Sequence, residues 1–597
     1  MSHLRTPTGK PDEAASPPAG QPGTELGPAE QPSLNGRRSP DGPPSATVSS
    51  TTQTSARTGS DSARASAATG FRSILFASHD APTGLDELPA PECFPDLNLD
   101  QVVASVVAAK EPYRLLGYFH VPLDSPDAII YRQQVFQDLE LKPIYDIVAR
   151  FADGMRTMRA RIERVNKSHY HYQKQRWFLD AVRAYCETIE TITSELDNAS
   201  FESRGLTELA NYLSQYRASP AFTALRDEAD AVAHGLDSIL YDVWVRGAKV
   251  TVGAFDEEPD YSADVAKTFE RFQQRDIQVR PADRNARRNP FERGGTDAAS
   301  NQFMDHVEAQ ILDQVAKVFP DHFAALDAFC HAHGDYLDRT IAVFDREIQF
   351  YIAYLDYLAP LRRAGLTLDY PQMSVDDKAE NATDTFDLAL AAQLLRDAEN
   401  GENPVVRNDI HLEGNARILV ISGPNNGGKT TMARTVGQLH YLAKLGCPVP
   451  GRDVRLYLVD EVFTHFEKEE DIATLAGKLQ EELGRMHDDF QRATPRSLMI
   501  MNEMFSSTTV HDALFLSKEM LGRLSDLDAL GVCVTFLDEL ATLNGKTVSM
   551  VSTVDPKDLA RRTFKVIRTP ADGKAYAQAL AEKYGLTYEM LKGRVSS

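Results

Sequence analysis

The run ISGPNNGGKTTMA, Ile421 to Ala433, holds the residue types that a bound phosphate needs, at a usable spacing. Gly423, Gly427 and Gly428 let main-chain N–H groups turn inward on an anion. Lys429 brings an ammonium, and Thr430 a hydroxyl of the hard-oxygen kind that Mg²⁺ takes. Gly423-x-x-x-x-Gly428-Lys429-Thr430 is the Walker A pattern. Its context fits: Ile418 to Ile421 reads as a strand, and Thr431 to Leu445 as a helix whose N-terminus adds positive partial charge. The residues expected on a nucleotide are Gly423, Pro424, Asn425, Asn426, Gly427, Gly428, Lys429, Thr430 and Thr431. Lys429 should reach the β- and γ-phosphates and Thr430 the metal, so ATP and Mg²⁺ are the expected cofactors.

Such a loop needs a second, acidic strand end for the metal and the attacking water. Two runs offer one. LYLVDEVF ends in Asp460-Glu461, and SLMIMNEMFSSTT ends in Asn502-Glu503. Pattern alone favours the first, because a carboxylate binds Mg²⁺ better than an amide. The polar stretch Ser506 to Asp512, suited to a nucleotide edge, favours the second.

The surrounding elements follow from texture. Residues 1–70 are rich in Pro, Gly, Ser, Thr and Ala, and read as a disordered tail. From Phe94 to about 245 the apolar spacing is helical. One such helix presents Ile147, Val148, Phe151, Met155 and Met158 on one face. Trp177 and Trp244 lie in these stretches and are expected in the core. AKVTVGAF, Ala248 to Phe255, alternates and reads as a strand, with a turn and helix after it. The arginine-rich stretch 275–295 reads as an exposed loop, with a phosphate-backbone contact as the alternative. Helices return over 301–366, where Tyr351, Ile352, Tyr354, Leu355 and Leu358 share a face. From about 390 apolar runs alternate with helical stretches, the α/β signature.

GPNNGGKTT, GCPVP, YLVDEVFTHFEKEEDI and RSLMIMNEMFSSTTVHDALFL resemble, in order and spacing, the ATPase domain of the MutS family of DNA mismatch repair proteins. The resemblance runs from about 405 to 590. It implies an α/β P-loop domain of the ABC type, preceded by a mostly α-helical core and lever region. Domains would be a tail over 1–70, the helical region over 71–395, the ATPase over 396–570 and a helical dimerisation element over 571–597. Two copies would face each other across nucleotide, forming a homodimer through the ATPase domains and C-terminal helices. Double-stranded or branched DNA is the implied partner.

Carried over residue by residue, Asn502-Glu503 takes the Walker B place, with Asn502 beside Thr430 in the metal shell and Glu503 activating water. Asp460 falls on the strand before the loop that couples nucleotide to lever, and 471–487 on the signature helix. Three positions depart from the family. Gly477 stands where the signature serine is expected, Asn502 where Walker B has aspartate, and Phe536 where a histidine usually follows the next strand. Lys429, Thr430 and Glu503 remain, so slow hydrolysis is expected, with tight binding and no turnover as the alternative. Phe255-Asp256-Glu257 fits the family's Phe-x-Glu wedge only by chance, so classical mismatch recognition is not expected.

Length and charge bound the rest. A chain of 597 residues allows about two to four domains. A net charge of −22 gives no global field for nucleic acid and favours a rival reading, an ATP-dependent scaffold for protein partners. Five scattered cysteines form no C-x-x-C pair, and no apolar run reaches membrane-spanning length, so a cytoplasmic protein is expected.

Overall fold

The computed structural model describes residues 71–77, 84–247, 249–255, 304, 306–398, 403–467 and 477–571. The expected tail, the helix after 255, the 275–295 stretch and the 572–597 element lie outside them.

The first half is helical, and local chemistry starts several of its helices. The segments are α1 (Leu99–Val107), α2 (Leu116–His120), α3 (Pro126–Glu140), α4 (Lys142–Lys167), α5 (His171–Asp197), α6 (Arg204–Arg217) and α7 (Pro220–Asp237). Ser125, Ser203 and Ser219 each accept a hydrogen bond from the N–H three residues on, capping α3, α6 and α7. Proline enters α3 and α7 in the first turn, where no N–H is missed. The expected face of α4 is buried, and Ile144 extends it.

The helical reading to 245 fails over its last residues. Tyr241–Arg246 is a strand, β1, paired antiparallel with β2 (Lys249–Ala254). YDVWV is aromatic and β-branched, so it continues the strand pattern rather than the helix before it. Trp244 is therefore not core: it is 43% exposed. A Cβ on Gly253 would lie 2.6 Å from its ring, so glycine leaves room for the indole across the pair.

Helices resume as α8 (His306–Val318), α9 (Pro320–Ala332) and α10 (Arg339–Arg363). On α10 Tyr351, Ile352, Tyr354 and Leu358 are buried as expected, and Leu355 is partly buried. No described helix is long and apolar enough to cross a membrane.

Then come β3 (Leu368–Asp369), β4 (Gln372–Ser374), β5 (Glu380–Thr385), α11 (Leu388–Asp397), β6 (Asn408–Leu412), β7 (Ile418–Ser422) and α12 (Lys429–Lys444). After them lie β8 (Val449–Pro450), β9 (Arg452–Tyr457), β10 (Val462–His465), α13 (Lys478–Arg492), β11 (Leu498–Asn502), α14 (Val510–Leu527), β12 (Leu530–Val534), β13 (Thr547–Asp555) and β14 (Asp558–Arg568). A four-stranded sheet has the order β4-β9-β5-β6, so 372–385 pairs with strands beyond residue 396. The larger sheet has the order β10-β11-β12-β7-β13-β14. Its first five strands are parallel and β14 runs antiparallel.

The larger sheet is covered on both faces, so its central strands β7, β11 and β12 are almost wholly apolar. Alternate residues serve different cores. Leu419, Ile421, Leu498 and Ile500 join a core that includes α12 and the helical half. Ile418, Val420, Met499 and Met501 face α13 and α14.

Candidate functional site

The loop between β7 and α12 lies at the C-terminal ends of the parallel strands. Its shape follows from its residues. Gly423 has φ 117° and Gly428 has φ 92°, angles that a side chain resists. Asn426 has φ 57°, which asparagine tolerates better than most. Gly427 is needed for space: a Cβ there would lie 2.2 Å from Ser552 Oγ. Gly428 caps α12 with no side-chain hydrogen bond, so the first helical N–H groups keep their capacity for an anion.

Lys429 is 4% exposed. Its Nζ donates to Gly423 O (3.1 Å), Pro424 O (3.4 Å) and Asn425 Oδ1 (3.1 Å), and lies 3.6 Å from Glu503 Oε1. Burial pulls the ammonium below the usual lysine range, and Glu503 opposes that pull. Thr430 Oγ1 donates to Asn502 Oδ1 at 3.0 Å. Glu503 follows in the left-handed region, φ 52°, with its N–H on Val534 O at 2.9 Å. Its side chain is 32% exposed, so water can reach it. Asn425 and Asn426 are exposed on the loop's rim, Pro424 is buried, and Thr431 is half-buried at the head of α12.

Between the two acidic candidates, geometry brings only Asn502-Glu503 to the loop. Asp460 sits in the connection between β9 and β10, at the N-terminal end of the larger sheet, with its N–H on Arg496 O. Its carboxylate accepts from Thr494 Oγ1 and Ser497 Oγ. With Glu461, Asp489 and Arg492 it lines a cleft of about 850 Å³ away from the loop. Within the Ser506-to-Asp512 stretch two residues have a structural task. Thr509 caps α14, accepting from Asp512 N–H and donating to its carboxylate.

The helix expected over 471–487 runs over Lys478–Arg492, and 471–476 lies outside the described residues. Gly477 is its N-cap, and a Cβ there would meet nothing within 4 Å. Phe536, after β12, is 50% exposed. Two neighbours of the loop had no signal in the sequence. Ser552 on β13 donates to Gly427 O at 2.6 Å, and Arg562 Nε on β14 donates to Asn425 O at 3.2 Å.

Fold and site together define a class: an α/β domain whose parallel sheet presents a glycine-rich loop, a buried lysine and a helix N-terminus beside an Asn-Glu strand end. Residues 419–590 match the family model described as MutS domain V. The chain is 28% identical over 212 residues to the DNA mismatch repair protein MutS of Caldicellulosiruptor saccharolyticus, covering 32% of this chain and 24% of that protein. It is 34% identical over 134 residues to the DNA mismatch repair protein MutS of Chloroflexus aurantiacus, covering 22% and 14%. Residues 419–590 are thus similar to MutS domain V, and the matched part spans less than a quarter of the length of these relatives.

Proposed function

We propose that the chain binds MgATP in the loop 423–431 and hydrolyses it slowly, and that nucleotide gates a dimeric clamp on double-stranded or branched DNA. The observation that carries this reading is the meeting of Lys429, Thr430, Asn502 and Glu503 at one sheet end. The residues fit the cofactor. A nearly buried ammonium occupies the curl of the loop, and a hydroxyl and an amide oxygen stand 3.0 Å apart as hard ligands. Mg²⁺, when bound, supplies charge neutralisation at the β- and γ-phosphates.

The chain's own groups then divide the work. The α12 N-terminus and loop N–H groups hold phosphate oxygens, and Lys429 places a full charge among them. Glu503 orients a water and accepts its proton. Asn502 holds Thr430 but adds no negative charge, Phe536 offers no hydrogen bond, and Gly477 carries no hydroxyl. Each departure slows the step without removing it. A homodimer through the ATPase domains and the 571–597 element would couple nucleotide to the helical half by preferring one conformation.

Lys429→Ala should weaken MgATP binding by about 100-fold or more, because a charge-assisted phosphate contact is lost inside the loop. Calorimetric titration checks this, and wild-type affinity in that variant would remove the claim. DNA binding should fall steeply with salt in a filter assay. The net charge of −22 favours the second reading, a nucleotide-dependent scaffold for protein partners, and no DNA binding even at low salt would select it.

A further inference from the structure

We propose that Glu482 is a positioning residue for the reaction: from α13 it holds the turn that carries Glu503. The inference rests on the hydrolysis reading above.

Glu482 interrupts an apolar face. Leu479, Leu483 and Met486, at helical spacing around it, pack into the core shared with α14. A carboxylate on such a face needs partners, and it has two. The Phe505 N–H donates to its Oε1 at 2.7 Å, and His465 Nε2 lies 3.4 Å from the same oxygen. Burial pushes the carboxyl up, but His465 and the Phe505 amide outweigh that and hold it below the usual range.

The turn it grips has a conformation that needs gripping. Glu503 has φ 52° and Phe505 has φ 57°. Two non-glycine residues in the left-handed region, one a fully buried phenylalanine, persist only where surroundings enforce them. One end is fixed by Glu503 N–H on Val534 O at 2.9 Å, the other by Phe505 N–H on Glu482. Between these anchors the Glu503 carboxylate faces Lys429 at 3.6 Å. The first turn of α13 holds the same segment again, since Lys478 pairs with Glu467 and Ser506 Oγ donates to Glu467 at 3.3 Å. A displacement of α13 is therefore a displacement of Glu503, and an error of about 1 Å at such a group can cost about 100-fold in rate. The loop 423–431 makes no contact with Glu482 among those described, so nucleotide affinity is separable from alignment.

The test uses the full chain, with phosphate release and MgATP binding measured side by side. Glu482→Ala should lower kcat on the order of tenfold or more while the Kd for MgATP stays within about twofold. Glu482→Gln keeps an oxygen for the Phe505 N–H and should recover most of the loss. Wild-type kcat in Glu482→Ala overturns the proposal. So does equal damage in the Ala and Gln variants, or a loss of affinity that matches the loss of rate, because either marks a merely structural role. Should Glu482→Ala fail to fold, Glu482→Asp decides: one methylene short of the amide, it should lower kcat alone. A wild-type chain that binds MgATP but releases no phosphate overturns the hydrolysis reading and this proposal with it. That outcome is distinct from an active wild type equalled by its variants.

Discussion

Asn502 is the residue whose chemistry departs furthest from what its place asks. Its Oδ1 holds the Thr430 hydroxyl, a job that an aspartate oxygen would do equally. What the amide lacks is charge. Asn502→Asp should lower the Mg²⁺ concentration for half-maximal phosphate release by about tenfold, since a carboxylate is the better hard ligand. The same change puts a second carboxylate beside Glu503, so the variant should melt lower without metal and recover with it. An unchanged Mg²⁺ titration would show that this side chain does not face the metal. The loop residues could be read from the chain because the motif is contiguous, and each member's task follows from its type. Ser552 and Arg562 could not, for they arrive 125 and 137 residues away through strand pairing. Glu482 was hidden differently: the resemblance implied a helix over 471–487, but a carboxylate on it carries no local sign of an amide partner on another element.

Strands and helices place those residues, and the parallel sheet has two ends with different tasks. The candidate site gathers at the C-terminal end. At the other end Lys378, Arg417 and Lys546 converge on Asp528, at 3.0, 3.1 and 2.7 Å. Arg417 precedes β7, Asp528 precedes β12 and Lys546 precedes β13, so one carboxylate brackets three strand starts. Slight burial pushes its carboxyl up, but the hydrogen bonds from Lys546 and Lys378, with the charge of Arg417, outweigh it and hold the pKa at about 2. The stabilisation is therefore present above the unfolded value, near 3.8, and is lost as pH falls towards 2. Asp528→Asn should lower the urea midpoint at pH 7, and the gap from wild type should narrow by pH 3. Nucleotide affinity should not change. A gap equally wide at both pH values would deny the bracket its charge. Elements with a strong local period, α4, α10 and β7, were readable from the sequence. The polar strand β5, ENATDT, was not, because its pairing with β6 and β9 supplies what its sequence lacks.

The described chain coheres through one extended core, which runs from Phe71 through the helical half and α12 to Val566 on β14. The segment Phe71–Phe76 is sewn into it by polar groups. Ser73 Oγ and Ile74 N–H donate to Glu347, Tyr351 OH donates to Ile74 O, and Arg132 Nε donates to Leu75 O. Arg132 also donates to Leu445 O, at the end of the helix that follows the glycine-rich loop. The sequence marked Phe71 only as the place where order begins, since nothing in FRSILF announces partners some 274 residues on. Glu347 makes this union sensitive to pH. Burial is the chief cause that raises its carboxyl from 4.5 to about 7, against the hydrogen bonds from Ser73 and Ile74. The folded chain thus keeps a proton that the unfolded chain loses, so the contribution is full below 4.5 and fades as pH rises through 7. Between pH 5 and 8 wild type should lose up to about 3 kcal/mol that Glu347→Gln, fixed in the uncharged form, keeps. Guanidinium midpoints for the two proteins across that range check it. Curves that run parallel from pH 5 to 8 would mean that this carboxyl does not titrate in the folded chain.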